Sequence, residues 1–168
     1  RFGVPRCTQV TRRARARGDD ERGEMNERDE WGAPSTEASS AALRVLLYSD
    51  HVETRAAVRE AVGGRIGRDL PPLEWLEVAT APAAIAAVEA GGLDLLVLDG
   101  ETGKVGGMGL CRQLKDEIFQ CPPVLLLVAR PQDAWLALWT EADAVVGRPL
   151  DPIVLHEAVA GLLRGAPA

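Results

Sequence analysis

One segment constrains the fold of this chain more than any other: residues 93–100 read Leu-Asp-Leu-Leu-Val-Leu-Asp-Gly. A run this apolar is typical of a strand that is buried on both faces of a parallel sheet. Such a strand would place Asp99 at the carboxyl end of the sheet. In open α/β sheets, functional sites form at that end, so Asp99 is the first candidate for a functional residue.

The composition favours one soluble domain. The chain has 168 residues, of which 46% are hydrophobic, and this is enough for one sizeable core. No stretch resembles a transmembrane helix or the apolar part of a signal peptide, so we expect a cytoplasmic protein without direct membrane insertion. The net charge of −6 argues against nucleic acid as a partner. Three cysteines without a CxxC spacing indicate neither a disulfide framework nor a zinc site.

The beginning of the chain differs from the remainder. An arginine-rich block is followed by an acidic block, and few apolar residues are available to offset the entropy cost of ordering. We therefore predict a disordered extension over residues 1–42 and a folded domain over residues 43–165. The chain does not begin with methionine, so Met25 is a candidate native start. Because the chain ends soon after Arg164, we expect a stand-alone domain without a DNA-binding or catalytic output domain.

Strand-like and helix-like segments alternate from residue 43 onward. Apolar runs predict five strands, and amphipathic segments bounded by N-cap residues or glycines predict five helices. The predicted strands cover residues 43–48, 74–79, 93–99, 124–129 and 143–147, and the predicted helices begin near residues 52, 81, 108, 131 and 152. With right-handed crossovers, this alternation predicts an α/β doubly wound fold whose five-stranded parallel sheet has the flavodoxin-like order 2-1-3-4-5.

Two aspartates are predicted to converge at the switch point of this sheet. Asp50 lies just past the first strand and Asp99 ends the third, and these two strands flank the switch point. Paired carboxylates suit Mg²⁺, which prefers oxygen ligands, and a carboxylate beside a bound cation can accept a phosphoryl group. The alternative is that each aspartate only caps the turn or helix that follows it. Their expected convergence favours a site.

Four segments carry a resemblance to a known family. They read RVLLYSDH at 44–51, LDLLVLD at 93–99 with Gly107 eight residues on, PVLLLVA at 123–129 and ADAVVGRP at 142–149. In these segments the chain resembles the receiver domain of two-component response regulators. The resemblance implies that Asp99 is the phospho-acceptor, that Asp50 is a metal ligand, and that the backbone carbonyl of Glu101 completes a Mg²⁺ site. It also implies a cis peptide bond before Pro149.

The chain departs from the receiver pattern at positions that serve the phosphorylation switch. Receivers usually carry two adjacent acids after the first strand, but here Ser49 precedes Asp50. Val128 replaces the hydroxyl residue that contacts the phosphoryl group, Arg148 replaces the lysine, and Val145 replaces the switching aromatic. A hydrogen bond to a charged group contributes roughly 1.5–3 kcal/mol, whereas a full two-state shift needs about 5.5 kcal/mol. We therefore predict weak Mg²⁺ binding and weak or absent phospho-switching.

Two tryptophans, Trp135 and Trp139, lie one helical turn apart on the predicted fourth helix. We expect the core to bury at least one of them. An exposed tryptophan is a common anchor of protein interfaces. By the receiver resemblance, this helix face, with Val145 beside it, is where partners dock or where two copies dimerise.

Four further details resemble one subgroup of receivers. They read YSD at 48–50, DGE at 99–101 followed by GGMG, QLKDE at 113–117 and RPQDAWL at 130–136. They resemble actinobacterial receiver-like proteins linked to respiratory NADH:quinone oxidoreductase (complex I). The resemblance implies a non-enzymatic accessory or interaction role on the cytoplasmic arm of that enzyme, with peripheral placement at the plasma membrane through the partner.

Two other functions compete with this one. The first is a phosphorelay receiver that accepts phosphate at Asp99 from a histidine kinase. The second is a flavodoxin-like enzyme, which is disfavoured because no nucleophile, base or cofactor loop stands out in the sequence. The glycines on either side of Lys104 match neither the P-loop nor the GxGxxG pattern, so a nucleotide site is also disfavoured.

Overall fold

The computed structural model of the protein describes residues 42–103 and 105–165. Apart from residue 42, the predicted disordered extension lies outside the described residues, as does Met25. The described strands are β1 (Leu43–Tyr48), β2 (Leu73–Val78), β3 (Leu95–Asp99), β4 (Val124–Val128) and β5 (Ala144–Gly147). The described helices are α1 (Val52–Val62), α2 (Ala81–Glu89), α3 (Gly107–Glu117), α4 (Trp135–Thr140) and α5 (Pro152–Leu163), with a short 3₁₀ turn at Pro131–Ala134 before α4.

The strands form one parallel sheet in the order β2-β1-β3-β4-β5. The predicted doubly wound architecture and strand order are thus confirmed. The central strand β3 is buried along its whole length. In the register of the sheet, Tyr48 is opposite Leu98. The next residues of the two strands, Ser49 and Asp99, therefore emerge side by side at the carboxyl end of the sheet.

Apolar layers cover both faces of the sheet. Successive residues of a strand point to opposite faces, so Val97 joins a cluster with α1 and α5, while Leu96 and Leu98 join a second cluster with α2 and α3. Full burial of one such side chain contributes about 1.5–3 kcal/mol. The continuous apolar run before Asp99 is therefore explained by packing on two sides, and it fixes β3 in the middle of the sheet.

The helix ends follow signals that are present in the sequence. The Thr80 hydroxyl accepts a hydrogen bond from the Ala83 amide at 3.4 Å, with proline in the first turn of α2. Asp151 accepts two amides of the first turn of α5, at 2.8 and 3.2 Å. Gly63 ends α1 with a φ of 76°, a left-handed conformation that favours glycine. Each polar N-cap contributes on the order of 1 kcal/mol.

Cys111 packs in the core. Its thiol is buried against α4 and donates to the backbone carbonyl of Thr140 at 3.3 Å. Burial raises the pKa of Cys111 to about 11, so the thiol stays protonated and unreactive at neutral pH. Cys121 is half-buried.

The fourth helix differs from its prediction. In place of one helix from Pro131, a 3₁₀ turn leads into α4, which is only six residues long. Trp135 and Trp139 are both 66% exposed, so the prediction that the core buries at least one of them was wrong. Residues four apart share a helix face, whereas Thr140, the last residue of α4, is fully buried and its backbone oxygen accepts the Cys111 thiol of α3. The face that carries both tryptophans is thus left to solvent.

None of the helices within residues 42–103 and 105–165 has the length and apolar character needed to cross a membrane.

Candidate functional site

Asp99, the last residue of the central strand, is completely buried. Among the described residues, three groups bind its carboxylate. The Ser49 hydroxyl donates to Oδ2 at 2.8 Å, and the Glu101 amide donates to Oδ1 at 3.1 Å. Nη2 of Arg148 lies 3.2 Å from Oδ1 and 3.1 Å from Oδ2. Both oxygens of this buried acid therefore have donors within the protein.

Arg148 reaches Asp99 from the residue just after β5. Its guanidinium also donates to the Thr54 hydroxyl on α1 at 3.2 Å, and the predicted cis peptide bond joins Arg148 to Pro149. The arginine side chain is 30% exposed, whereas the Asp99 side chain is 0% exposed. Arg148 thus lies between the carboxylate and solvent. A charge buried without a partner is strongly unfavourable, and Arg148 supplies the counter-charge that Asp99 needs.

The two residues after β1 have different environments. Ser49 is fully buried, and its Oγ accepts the His51 amide at 3.1 Å while its hydroxyl faces Asp99. Asp50 is exposed, and its Oδ2 accepts the Gly103 amide at 3.0 Å. This hydrogen bond is the main cause that lowers the pKa of Asp50 below its ordinary value. Asp50 and Asp99 therefore both accept hydrogen bonds from the loop between β3 and α3. These bonds connect the carboxyl ends of β1 and β3.

Two glycines allow the backbone to pack tightly around Asp99. A Cβ atom on Gly107 would lie 2.4 Å from the backbone oxygen of Asp99, and one on Gly100 would lie 2.7 Å from the backbone oxygen of Leu127. A real Cβ atom does not approach backbone this closely. Glycine at these positions therefore lets the first turn of α3 and the end of β4 meet the end of β3.

Comparison with known proteins connects this geometry to a family. No family model matches the chain. Two strains of Mycobacterium tuberculosis each have a protein described as an uncharacterized response regulatory protein, 55% identical over 130 residues that make up 77% of this chain and 97% of the relative. The chain belongs to the response regulator family. The receiver resemblance of its sequence is confirmed at this level.

Solved structures share the fold of this response regulator. The signal receiver domain of a histidine kinase from Syntrophus aciditrophicus has a TM-score of 0.62 at 24% identity, and the match covers 74% of this chain and 92% of that one. A two-component response regulator of the LuxR family from an Aurantimonas species has a TM-score of 0.64 at 23% identity, over 76% and 89% of the two chains. These likenesses concern the fold alone, and they agree with the flavodoxin-like sheet order.

Two of the positions that differ from typical receivers have apolar side chains in this response regulator. Val128 ends β4 and is fully buried, and Val145 on β5 is half-buried against the cluster of α2 and α3. A valine side chain has no hydrogen-bonding atom. Neither valine side chain can therefore contribute a hydrogen bond at the Asp99 end of the sheet.

The residues of this response regulator fit a Mg²⁺ ion poorly. The expected ligands are Asp50, Asp99 and the backbone carbonyl of Glu101. Within the described part of the chain, no cluster of three or more acidic, histidine or cysteine side chains could hold a metal. The Arg148 guanidinium already lies on the Asp99 carboxylate. Mg²⁺ requires near-octahedral oxygen ligands, and a positive group on the same carboxylate repels it.

Sequence reasoning missed two residues that complete this site. Ser49 was considered only as a missing acid, whereas it is a hydrogen-bond donor to Asp99. Thr54 was not considered, yet it binds the guanidinium of Arg148. One signal was available for Thr54, because it shares the buried face of α1 with Val58. A polar residue on a buried helix face needs a hydrogen-bond partner.

Proposed function

We propose that this response regulator acts mainly in one conformation as a non-enzymatic protein-interaction module, with weak or absent phospho-switching. The pairing of buried Asp99 with Arg148 carries the proposal. In a receiver switch, a hydroxyl side chain binds the phosphoryl group on the aspartate and an aromatic side chain changes its orientation. Val128 and Val145 occupy those two positions here. Phosphorylation would also have to displace Arg148 from a carboxylate that it already neutralises.

The interaction surface in this proposal is the tryptophan face of α4, which we define as Trp135 and Trp139. Each side chain is large, apolar and 66% exposed, and the two lie one turn apart on the same side of the helix. Tryptophan is enriched among the residues that contribute most to binding. Two adjacent exposed tryptophans support binding to a partner protein whose surface has one apolar pocket that buries both side chains.

The proposed partner is the cytoplasmic arm of respiratory complex I. The support is the resemblance of the chain to actinobacterial receiver-like proteins linked to that enzyme, together with relatives in Mycobacterium tuberculosis, an actinobacterium. In this proposal the protein is cytoplasmic and reaches the inner face of the plasma membrane only through its partner. Its Mg²⁺ affinity is weak, with Asp50, Asp99 and Glu101 as the only ligand positions that the receiver resemblance offers.

Exchange of both tryptophans for alanine is expected to abolish partner capture. The tagged full chain is expressed in a mycobacterium, membranes are extracted with mild detergent, and the captured proteins are quantified by mass spectrometry. We expect complex I subunits with the wild-type protein and a loss of about a hundredfold or more with Trp135→Ala/Trp139→Ala, because two anchors that contribute on the order of 2 kcal/mol each are removed. Phe119→Ala is the matched control, since Phe119 is an aromatic that is 92% exposed elsewhere. Absence of every complex I subunit from the wild-type capture contradicts the proposed partner.

The alternative function is a phosphorelay receiver that accepts phosphate at Asp99 from a histidine kinase. It is favoured by the position of Asp99 at the end of the central strand, with a cationic side chain and the Glu101 amide on its oxygens. Asp99→Asn separates the two functions in the same capture experiment, because asparagine keeps the size of the side chain but cannot form an aspartyl phosphate. Retained capture supports the interaction module, and loss by a folded variant supports the relay.

A further inference from the structure

Within the described residues, both oxygens of the Asp99 carboxylate already have protein donors. Ionised carboxylates offer about four lone-pair sites on two oxygens. Oδ2 receives the Ser49 hydroxyl at 2.8 Å and Oδ1 receives the Glu101 amide at 3.1 Å, while Nη2 of Arg148 lies 3.1 Å from Oδ2 and 3.2 Å from Oδ1. A metal ion at this carboxylate would have to compete with these three groups.

The charges at Asp99 also balance without a metal. Asp99 carries one negative charge, and Arg148 carries one positive charge directly on it. Ser49 stands where a second acid would be needed to bind a divalent cation, and it contributes a neutral donor instead. The other nearby carboxylate, Asp50, is exposed and accepts the Gly103 amide. A divalent cation at this position would thus contact the Asp99 carboxylate, which already binds Arg148, and would be repelled by the positive charge of that guanidinium.

Neighbouring groups hold both donors in place. Nη2 of Arg148, the atom that contacts Asp99, also donates to the Thr54 hydroxyl at 3.2 Å, from the buried face of α1. The Ser49 Oγ accepts the His51 amide at 3.1 Å, which leaves its proton for Asp99. A planar guanidinium can bind two oxygens at once, whereas a lysine ammonium acts as a point charge. The contacts of Ser49, Thr54 and Arg148 therefore form one preorganised set around the carboxylate.

We propose that the Arg148 guanidinium, oriented by Thr54 and supported by the Ser49 hydroxyl, is a built-in counter-ion that replaces the divalent cation at Asp99. The site is complete as a metal-free arrangement and strongly disfavours Mg²⁺. Ser49 and Arg148 determine this preference, and Thr54 is a positioning residue that acts through Arg148. The proposal concerns the site alone and stands independently of the partner.

Mn²⁺ is a suitable probe, because it takes the oxygen ligands of Mg²⁺ and broadens nearby NMR signals. The full chain is labelled with ¹⁵N and titrated with Mn²⁺ to millimolar concentration, and the Glu101 amide and the Arg148 side-chain signals are followed. The wild-type protein is expected to show no saturable broadening at Glu101. The double variant Ser49→Asp/Arg148→Lys restores a second acid and replaces the guanidinium by the lysine of typical receivers, and it is expected to bind Mn²⁺ at least tenfold more tightly than the wild-type protein. Arg164→Lys, on an exposed ion pair, is the matched control and should behave like the wild-type protein.

Two results would overturn the proposal. One is saturable Mn²⁺ binding by the wild-type protein with selective broadening at Glu101. The other is a folded double variant that binds no more tightly than the wild-type protein, because metal exclusion would then lie elsewhere. A further measurement uses only the wild-type protein, so it remains available if the double variant does not fold. Excess diamagnetic Mg²⁺ should leave the Arg148 side-chain signals of the wild-type protein unshifted. Displacement of the guanidinium by Mg²⁺ contradicts the proposal. Thr54→Val should make the Arg148 signals exchange faster with water if Thr54 positions the guanidinium.

Discussion

Arg148→Met is expected to lower the free energy of unfolding by on the order of 3 kcal/mol, because it leaves the fully buried Asp99 carboxylate without its counter-charge. Methionine keeps much of the length of the side chain but neither the charge nor the donors to Asp99 and Thr54. A loss of this size corresponds to a fall of roughly 10 °C in the melting temperature of a domain of this length. Urea unfolding followed by circular dichroism measures it.

The matched control for this prediction is Arg164→Met. Arg164 also pairs with an aspartate, because its Nε and Nη2 donate to the two oxygens of Asp69 at 2.8 and 3.2 Å. Both side chains are exposed, however, at 44% and 57%, and exposed ion pairs contribute little to stability. We expect the urea midpoint of Arg164→Met to stay close to that of the wild-type protein. Equal losses in the two variants would contradict the role assigned to burial of Asp99.

Gly107→Ala is expected to have the second large effect, a destabilisation of about 3 kcal/mol. The added methyl group would lie 2.4 Å from the backbone oxygen and 2.7 Å from the carbonyl carbon of Asp99. The atoms that the methyl group would meet belong to the backbone of a central strand, and they cannot move aside as the end of a flexible side chain can. The first turn of α3 must therefore shift away from Asp99. The same unfolding experiment measures the loss, and the chemical shift of the Glu101 amide reports displacement of the loop.

Gly109→Ala is the matched control on the same helix. No atom lies within 4 Å of the position that its Cβ would occupy. Alanine is favoured over glycine inside a helix by roughly 0.5–1 kcal/mol, so this variant is expected to be more stable than the wild-type protein. A destabilised Gly109→Ala would show that α3 tolerates no added methyl group, and the specific role of Gly107 would then be unsupported.

The fold was predictable because local signals determine it. The apolar run before Asp99 requires burial on both faces, which only a central parallel strand provides. Right-handed crossovers then leave few strand orders. The cap residues Thr80 and Asp151 mark helix starts through hydrogen bonds to amides within three residues of themselves. Each of these signals lies within a short stretch of sequence, so no long-range packing had to be known.

The contacts of Asp99 could be predicted only in part. The position of Asp99 follows from β3, but its arginine partner is 49 residues away, and that arginine is held by Thr54, which is 94 residues away from it. Whether a guanidinium reaches a carboxylate across such a separation depends on side-chain length and backbone direction, which residue types alone do not specify. The sequence therefore indicated which residues would be near the switch point, but not that Arg148 and Ser49 would together satisfy Asp99.

The tryptophans were mispredicted for a related reason. Apolar residues at helical spacing usually indicate a buried face, so burial of at least one tryptophan was expected. The structure leaves Trp135 and Trp139 exposed on α4, a helix of only six residues. The local spacing of apolar residues does not specify which side of such a short helix packs against the domain. Large apolar side chains that escape burial in this way are candidates for an interface.

The central claim is that the domain works in one conformation, and phosphorylation of the wild-type protein tests it most directly. The full chain is incubated with Mg²⁺ and acetyl phosphate, its intact mass is measured, and its affinity for the captured partner is compared before and after treatment. Our account predicts that little of the protein gains a phosphoryl group and that the affinity is unchanged. Extensive phosphorylation at Asp99 together with a large change in affinity would contradict it.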